Sequence, residues 1–383
     1  MLQVKLVILY MHLKTLSLVN FKNYEQLDIS LSAKINCFVG ENGVGKTNLL
    51  DAIHYLSLCK SNLNPVDSQN VRYEEDFLVV QGVFERLGKE ENIYCGIRKQ
   101  KKKQFKRNQK EYGKLSEHIG LIPLVMISPA DALLINGGSE ERRKFMNGVI
   151  AQYSRVYLEN LIQYNRALNQ RNRLLKDFAS ARNFDPERLE VWDEQLIRYG
   201  EPIFEERSRF VNELLPVFNS FHSHVSGNRE QVSLAYQAHL REMDFREGLR
   251  ASLEKDRYLQ YTTFGIHKDD LGMELGTYSL KKSGSQGQQK TFLVALKLAE
   301  FEFIRKLTEI PPILLLDDIF DKFDARRVKQ IIGLVAENQF GQIFITDTNE
   351  QRLQGILQEI PADHKVFRIN TEARLEEMHN QDG

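Results

Sequence analysis

The sequence has few cysteines and no net charge, and both limit what the protein can be. Three cysteines are scattered without paired spacing among 383 residues, at Cys37, Cys59 and Cys95. This scatter argues against a disulfide scaffold or a structural zinc site and fits a reducing compartment. Lys plus Arg total 52 and Asp plus Glu total 52, so only local charge clusters can indicate a polyanionic partner.

Long apolar runs are also missing. The apolar run Leu6–Met11 is too short for a signal sequence or a membrane helix, and no small-residue cleavage site follows it. We therefore expect a cytoplasmic protein without membrane association. The hydrophobic content of 42% is ample for a large core, and the length suggests two or three domains. A strand-like stretch starts at Met11, so residues 1–10 are expected to be an extension outside the fold.

A glycine-rich loop lies between a predicted strand, INCFV, and a predicted helix, NLLDAIHYLSL. This strand–loop–helix context is the one in which G-x-x-x-x-G-K-[ST] binds phosphate, although the octapeptide alone could be a chance turn. Backbone N–H groups would surround the phosphates of ATP, Lys46 would reach the β and γ phosphates, and the Thr47 hydroxyl would bind Mg²⁺. The predicted nucleotide-binding residues are Gly40, Glu41, Asn42, Gly43, Val44, Gly45, Lys46 and Thr47.

A carboxylate that could complete the metal site occurs in PPILLLDDIF, residues 311–320. The run Ile313–Leu316 is continuously apolar, like a strand buried on both faces of a parallel sheet, and Asp317 follows it. Ligands of open α/β sheets bind at that end of the strands, so we expect Asp317 to hold Mg²⁺. Asp318 could orient or deprotonate the attacking water. The predicted catalytic residues are Lys46, Asp317 and Asp318; alternatively, the strand has only a polar end.

The stretch SGSQGQQKT, residues 283–291, is unusually polar for the start of the apolar helix FLVALKLAEF. One interpretation is that Ser283 or Ser285 caps the helix and the glycines form the turn. That interpretation accounts for the serines and glycines but not for the three glutamines.

About 270 residues separate Thr47 from Asp317, which suggests that a large insertion divides the ATPase head. GENGVGKTNLLDAIHYL, SGSQGQQKTFLVALKLAE and ILLLDDIFDKFD together resemble the RecF family of bacterial recombination and repair ATPases. That family belongs with the ABC-type heads of the structural-maintenance-of-chromosomes (SMC) proteins. The resemblance covers almost the whole chain from Met11 and includes LKTLSLVNFKNYEQLDI, SPADALLINGGSEERRKFMN and TTFGIHKDDLGMEL.

The resemblance implies an α/β fold: an ABC-type P-loop ATPase head with a mixed sheet and an antiparallel β subdomain, plus an inserted α-helical arm. Long helical patterns interrupted by NFDP predict that the arm is antiparallel. The expected segments are a possible extension at 1–10, the first part of the head at 11–135, the arm at 136–258 and the second part of the head at 259–383.

In such heads the signature loop of one subunit contacts the γ-phosphate bound by another. The resemblance therefore assigns nucleotide-binding roles in an ATP-dependent homodimer to Ser285, Gln286, Gly287 and Gln288. It also implies that residues 321–324, DKFD, cross the dimer interface, and that Asp347 stands where many relatives carry a γ-phosphate-sensing histidine. That departure, together with Asp318 in place of the glutamate common in transporters, predicts slow, DNA-stimulated hydrolysis.

Residues 98–110, RKQKKKQFKRNQK, carry eight basic side chains and no acidic one. They could neutralise DNA phosphates, or they could form a solvated hairpin, and charge alone does not decide between the two. Phe105 is the single aromatic residue of the stretch, so base stacking is poorly supported. The predicted helical arm offers a second possible DNA-facing set, comprising Arg142, Arg143, Arg166, Arg171 and Arg173.

The function implied by the resemblance is an ATP-switched DNA-binding protein of recombinational repair and replication. The dimer would bind double-stranded DNA and gapped or single-strand junction DNA, with RecR and, through it, RecO as partners. It would support RecA loading and SOS induction. The alternatives are a soluble ABC-type ATPase subunit whose basic stretch is incidental and an ATP-binding scaffold that does not hydrolyse ATP.

Overall fold

The computed structural model describes residues 11–227, 230–318, 341–360 and 362–378. These residues form two compact units, one running up to Ala130 and resuming at Glu300, the other comprising Asp131–Ala299. The arm boundaries expected from the sequence, 136–258, fall inside the second unit and stay a prediction. The proposed extension at 1–10 and the loop at 321–324 lie outside the described residues.

The first unit contains an antiparallel sheet of six strands in the order β2-β1-β4-β5-β6-β7. Burial alternates along β1, since one face of the strand packs on the core and the other does not. The strands are β1 (Met11–Phe21), β2 (Tyr24–Ser30), β4 (Phe77–Arg86), β5 (Lys89–Arg98), β6 (Gln104–Arg107) and β7 (Lys110–Glu111).

A second six-stranded sheet of this unit has the order β15-β14-β3-β13-β12-β8, in which only β15 is antiparallel to its neighbour. The mixed sheet and the antiparallel subdomain expected from the sequence are therefore confirmed. Its strands are β3 (Ile35–Val39), β8 (Leu124–Ile127), β12 (Ile313–Leu316), β13 (Ile343–Asp347), β14 (His364–Ile369) and β15 (Leu375–Met378). The helices α1 (Lys46–Leu58) and α9 (Glu350–Leu357) belong to the same unit.

A buried glutamine joins the two sheets of the first unit. The Gln342 side chain accepts a hydrogen bond from the Leu13 N–H at 2.7 Å and donates to the carbonyls of Leu13 at 2.8 Å and Ser32 at 2.7 Å. Beside Leu13 the register of the β1–β4 pairing shifts. The amide thus supplies backbone-like hydrogen bonds where a polar side chain in the core would otherwise be costly.

The second unit is mainly helical. Its longest helices are α4 (Arg155–Ala181) and α5 (Pro186–Ser226), which pack together and are joined at residues 182–185. Asp185 caps α5 by accepting a hydrogen bond from the Arg188 N–H, and Pro186 takes the first helical position. The predicted antiparallel arm is therefore confirmed. The other elements are α2 (Ala132–Asn136), α3 (Ser139–Tyr153), α6 (Phe245–Leu259), α7 (Leu280–Ser283), α8 (Gln286–Thr308, which ends in the first unit), β9 (Val232–Gln237), β10 (Asp270–Leu275) and β11 (Tyr278–Ser279).

Arg171 holds the arm together from inside, so its predicted place on a DNA-facing surface is wrong. Its side chain is 0% exposed and donates to Asp193 and Asp256, each at 2.6 Å. A helical charge pattern does not distinguish a solvent-facing arginine from one that meets buried carboxylates. Removing both carboxylates would leave the buried Arg171 charge uncompensated, which is strongly destabilising.

Two other arginines of that predicted set also have internal partners. Arg142 makes two hydrogen bonds to Asp270, at 2.6 and 2.9 Å, and Arg143 donates to the Asp269 carbonyl at 2.7 Å. Arg166 and Arg173 are exposed. The arm therefore offers DNA a sparser basic surface than the sequence suggested.

A buried histidine lies in the IHKDD segment of the second unit. The His267 Nε2 faces the Thr262 carbonyl at 3.0 Å, and its Nδ1 faces the Tyr164 hydroxyl at 2.8 Å. Because a carbonyl only accepts, Nε2 carries the proton and Nδ1 accepts from Tyr164. Burial lowers the pKa of His267 to about 4. In the first unit, burial likewise lowers the pKa of His118 to about 4.

Lowering the pH is therefore expected to destabilise both units. An unfolded histidine titrates near pH ~6.5, whereas these two bind protons only near pH 4 when folded. The free energy of unfolding should be greatest above pH ~6.5 and fall toward pH ~4, by up to about 3 kcal/mol for each histidine. Urea titrations across this range measure the slope.

His267→Gln should reduce that pH slope, because glutamine does not titrate. A wild-type stability that is constant across this pH range would contradict the argument.

Candidate nucleotide site and signature loop

The glycine-rich loop follows the fully buried strand β3 and leads into α1, as its sequence context predicts. Gly43 and Gly45 have φ angles of 85° and 109°, which side chains other than glycine rarely adopt. A Cβ at Gly45 would lie 2.3 Å from the Asn23 side chain. Among the described residues, the N–H groups of Gly43, Gly45 and Lys46 meet no acceptor, which suits a loop that binds an anion.

The turn between β1 and β2 supports this loop, and sequence reasoning assigned it no role. Asn23 donates to the Val44 carbonyl at 2.8 Å, and the Tyr24 hydroxyl donates to the Gly45 carbonyl at 3.0 Å. Because the carbonyls of Val44 and Gly45 accept hydrogen bonds from this turn, the N–H groups of the loop can face the opposite side. Nothing in the local FKNY sequence indicates this role, which depends on how the two sheets pack.

Lys46 lies across the loop. Its ammonium donates to the carbonyls of Gly40 and Glu41, both at 2.9 Å, and only 4% of the residue is exposed. These bonds hold the cation close to where the phosphates of a nucleotide would lie. Glu41 and Asn42, by contrast, are exposed.

Asp317 lies beside the loop although about 270 residues separate it from Thr47. The Thr47 hydroxyl donates to Asp317 Oδ1 at 2.9 Å, and the Thr346 hydroxyl donates to the same oxygen at 2.8 Å. The parallel pairing of β12 with β13 and of β13 with β3 brings these strand ends together. A hydroxyl and a carboxylate are oxygen ligands of the kind that Mg²⁺ prefers, so the pair fits the predicted metal role.

Two more aspartates lie at the same edge of the sheet. Asp318 has a φ of 44°, and its N–H donates to the Thr346 hydroxyl at 2.9 Å. Asp347 is 2% exposed and accepts two hydrogen bonds from Arg352, at 2.7 and 3.2 Å. The Asp347 carbonyl accepts from the Gly40 N–H at 3.3 Å. Asp347, which the resemblance places where many relatives carry a sensor histidine, is thus paired with an arginine.

The signature stretch begins α8 with a reciprocal cap. The Ser285 N–H donates to Gln288 Oε1 at 2.7 Å, and the Gln288 N–H donates to Ser285 Oγ at 3.3 Å, which is the S-x-x-Q capping box. Gln289 donates to the Gly284 carbonyl at 3.2 Å. Capping hydrogen bonds therefore account for Gln288 and Gln289. The expectation that capping explains only the serines and glycines was wrong for these two residues.

Gly287 has no conformational reason to be glycine. It lies in the first turn of α8, and the nearest atom to an added Cβ would be Ser285 Oγ at 4.0 Å. Glycine costs a helix about 1 kcal/mol relative to alanine. Among the described residues, the N–H groups of Gln286 and Gly287 meet no acceptor. The loop and Asp317 belong to the first unit, and residues 285–288 belong to the second.

The basic residues 98–110, here called the basic hairpin, include the β5–β6 turn. Lys103 is paired with Asp67 at 2.9 Å, and Arg107 donates to Glu91 at 2.8 Å. Phe105 is 1% exposed, so it is not available for stacking on a base. The basic side chains that remain exposed are Arg98, Lys99, Lys101, Lys102 and Lys110.

Within the described ranges, no helix has the length and apolarity needed to cross a membrane.

Comparison with known proteins agrees with this geometry. The family model described as the RecF/RecN/SMC N terminal domain matches residues 12–369. A Bacteroides thetaiotaomicron protein named DNA replication and repair protein RecF is 55% identical over 361 residues, which are 94% of this chain and 97% of the relative. The chain belongs to the RecF family. The RecF of Bacteroides fragilis is 53% identical over 373 residues, which are 97% of this chain and 100% of the relative.

Solved structures support the same assignment. A recombination mediator protein RecF, described with ATP in the RecFOR pathway, matches with a TM-score of 0.89 and 27% identity, covering 98% of this chain and 100% of that one. The Smc head domain of Pyrococcus furiosus, at 17% identity and a TM-score of 0.55, shares the fold. The predicted family and ABC-type head are confirmed, and the chain is an ATPase of a DNA replication and repair family. The residue roles stay predictions.

Proposed function

We propose that this chain is an ATP-switched DNA-binding protein in which ATP binding closes a head-to-tail homodimer. The hydrogen bond from Thr47 to Asp317 carries the nucleotide part of the proposal, because it unites a phosphate-binding loop with a distant carboxylate. Lys46 would bind the β and γ phosphates once it leaves the carbonyls of Gly40 and Glu41. Thr47 and Asp317 would hold Mg²⁺, which neutralises charge on the phosphates.

Hydrolysis would be slow. Asp318 is the residue proposed to orient the attacking water, and a carboxylate one methylene shorter than the glutamate of many transporters reaches less far. Asp347 brings no histidine donor to the γ-phosphate. We therefore propose that binding controls dimerisation, that DNA stimulates hydrolysis, and that hydrolysis resets the dimer.

The signature loop would act on the nucleotide of the other subunit. Because Ser285 Oγ accepts from Gln288, its hydroxyl hydrogen is directed elsewhere, and the N–H groups of Gln286 and Gly287 are available beside it. Three donors at a helix N-terminus suit a phosphate. Because Gly287 has no side chain, another chain could approach the backbone closely at this position.

The basic hairpin is the proposed DNA contact. Its exposed cations would neutralise phosphates without reading sequence, which fits binding to duplex DNA and to its junctions with single strands. By family resemblance, RecR and, with it, RecO are the proposed protein partners, and a similar solved structure is described as RecF in the RecFOR pathway. By the same reasoning, the chain would support RecA loading and SOS induction. Failure to bind DNA would favour an ATPase subunit without a DNA role.

Mixing two inactive variants tests the head-to-tail arrangement. Lys46→Met disables the phosphate loop and Ser285→Arg disables the signature loop, so each alone should lack ATP hydrolysis. A mixed dimer has one intact composite site instead of two, so an equal mixture should recover clear activity, up to about half of the wild-type value. Phosphate release measures this, and sedimentation with ATP should show that the Ser285 variant alone binds nucleotide yet remains monomeric.

An equal mixture that stays inactive, or a Ser285→Arg variant that dimerises normally, would contradict shared sites. Wild-type protein that dimerises with ATP but releases no phosphate would favour the scaffold alternative.

Removing charge from the basic hairpin should weaken DNA binding and its salt dependence. With Lys99, Lys101 and Lys102 changed to Gln, the slope of log affinity against log salt should fall in magnitude by about 2–3. Fluorescence anisotropy with duplex DNA at several salt concentrations measures this slope. The control changes three exposed lysines elsewhere in the unit, Lys60, Lys89 and Lys114. Equal effects of the two triple variants would show that the hairpin is not the DNA contact.

A further inference from the structure

The Gln288 amide is fixed from both ends. Its Oε1 accepts the Ser285 N–H at 2.7 Å, and its Nε2 donates to Glu230 Oε1 at 2.7 Å. An ionised carboxylate only accepts and a backbone N–H only donates, so both partners require the same orientation of the amide. Glu230 therefore prevents Gln288 from turning its NH₂ group toward Ser285.

The helices α5 and α8 pack together close to the signature loop. Near the end of α5, the ring centroid of Phe218 lies 4.7 Å from that of Phe292 in α8. The ring centroid of His222 lies 6.3 Å from that of Phe292. Phe218, His222 and Phe292 are all buried. Glu230 follows α5 in the chain and precedes β9, so the position of its side chain depends on contacts far from residues 285–288 in sequence.

Fixing Gln288 also fixes the hydrogen-bond donors of the signature loop that face outward. With Gln288 fixed, the Ser285 backbone is held at the cap position, and Ser285 Oγ is held as acceptor of the Gln288 N–H. The hydroxyl hydrogen and the N–H groups of Gln286 and Gly287 are then set in one arrangement before any phosphate arrives. Groups ordered in advance do not lose conformational freedom on binding.

We propose that Glu230 is a positioning residue for the signature loop, and this inference rests on the proposed function of that loop. Glu230 orients Gln288, Gln288 orients Ser285, and Ser285 meets the γ-phosphate bound by the other subunit. Glu230 itself does not touch the nucleotide. A glutamine at 230 could still accept from Gln288, but because it also donates it would fix the amide less firmly.

The decisive experiment puts Glu230→Ala into one member of the complementing pair. In the Lys46→Met plus Ser285→Arg mixture, the single intact site uses the signature loop of the Lys46→Met chain. Glu230→Ala in that chain should reduce phosphate release about 5–10-fold, as expected for losing a hydrogen bond to a charged group. The same change in the Ser285→Arg chain should have no effect, because its signature loop is already disabled.

Conservative and surface variants complete the test. Glu230→Gln in the Lys46→Met chain should retain most activity, with a loss of about 2-fold, and the exposed Glu242→Ala should match the unmodified mixture. Nucleotide affinity, measured with a fluorescent ATP analogue on monomers that carry each change but retain Lys46, should be unchanged. Thermal melting followed by circular dichroism shows whether Glu230→Ala has a folding defect. If it does, the phosphate release of Glu230→Gln is compared with that of Glu242→Ala, and a loss in Glu230→Gln alone supports the positioning role.

The positioning role of Glu230 would be overturned if Glu230→Ala reduced phosphate release equally in either chain, or did not reduce it in the Lys46→Met chain. The shared-site proposal would stand in both cases. If the parent mixture shows no complementation, it is the shared-site proposal that fails.

Discussion

The nucleotide site depends on the parallel pairing of β3, β13 and β12. Their register places Thr47 within 2.9 Å of Asp317 and Asp347 next to the first glycine of the loop. Strands whose residues are all buried form this part of the sheet, because both of its faces are covered. Shifting one strand by a residue would send Asp317 to the other face, so the site and the core share one constraint.

Negative charge accumulates at this edge, and the fold compensates it locally. Asp317 accepts hydrogen bonds from two hydroxyls, and Asp347 is paired with Arg352. A triphosphate adds further charge, which Lys46 and a metal ion would balance. The signature loop follows the opposite rule, since its carboxylate, Glu230, contacts an amide and the donors of the first turn face outward. The proposed shared site would use the charge of one unit and the donors of the other.

Local motifs predicted the phosphate loop and Asp317, because each needs only a short pattern and its flanking elements, whereas the mixed sheet was expected from the family resemblance. The support from Asn23 and the pairing of Gln288 with Glu230 were not predictable, since both depend on chain segments that meet only after folding. Arg171 shows the reverse error, because a helical arginine has the same pattern whether it meets solvent or buried aspartates. The S-x-x-Q spacing of the capping box was visible in the sequence and would have explained Gln288.

Gly287→Ala tests most directly whether the signature loop serves another chain. No atom of the described residues crowds that position, so alanine should raise the free energy of unfolding, by less than the about 0.5–1 kcal/mol expected at the open, mid-helix Gly148. Sedimentation with ATP should nevertheless show dimerisation weakened about 10-fold or more for Gly287→Ala and unchanged for Gly148→Ala. A Gly287→Ala protein that is more stable and dimerises as tightly as the wild type would contradict the account.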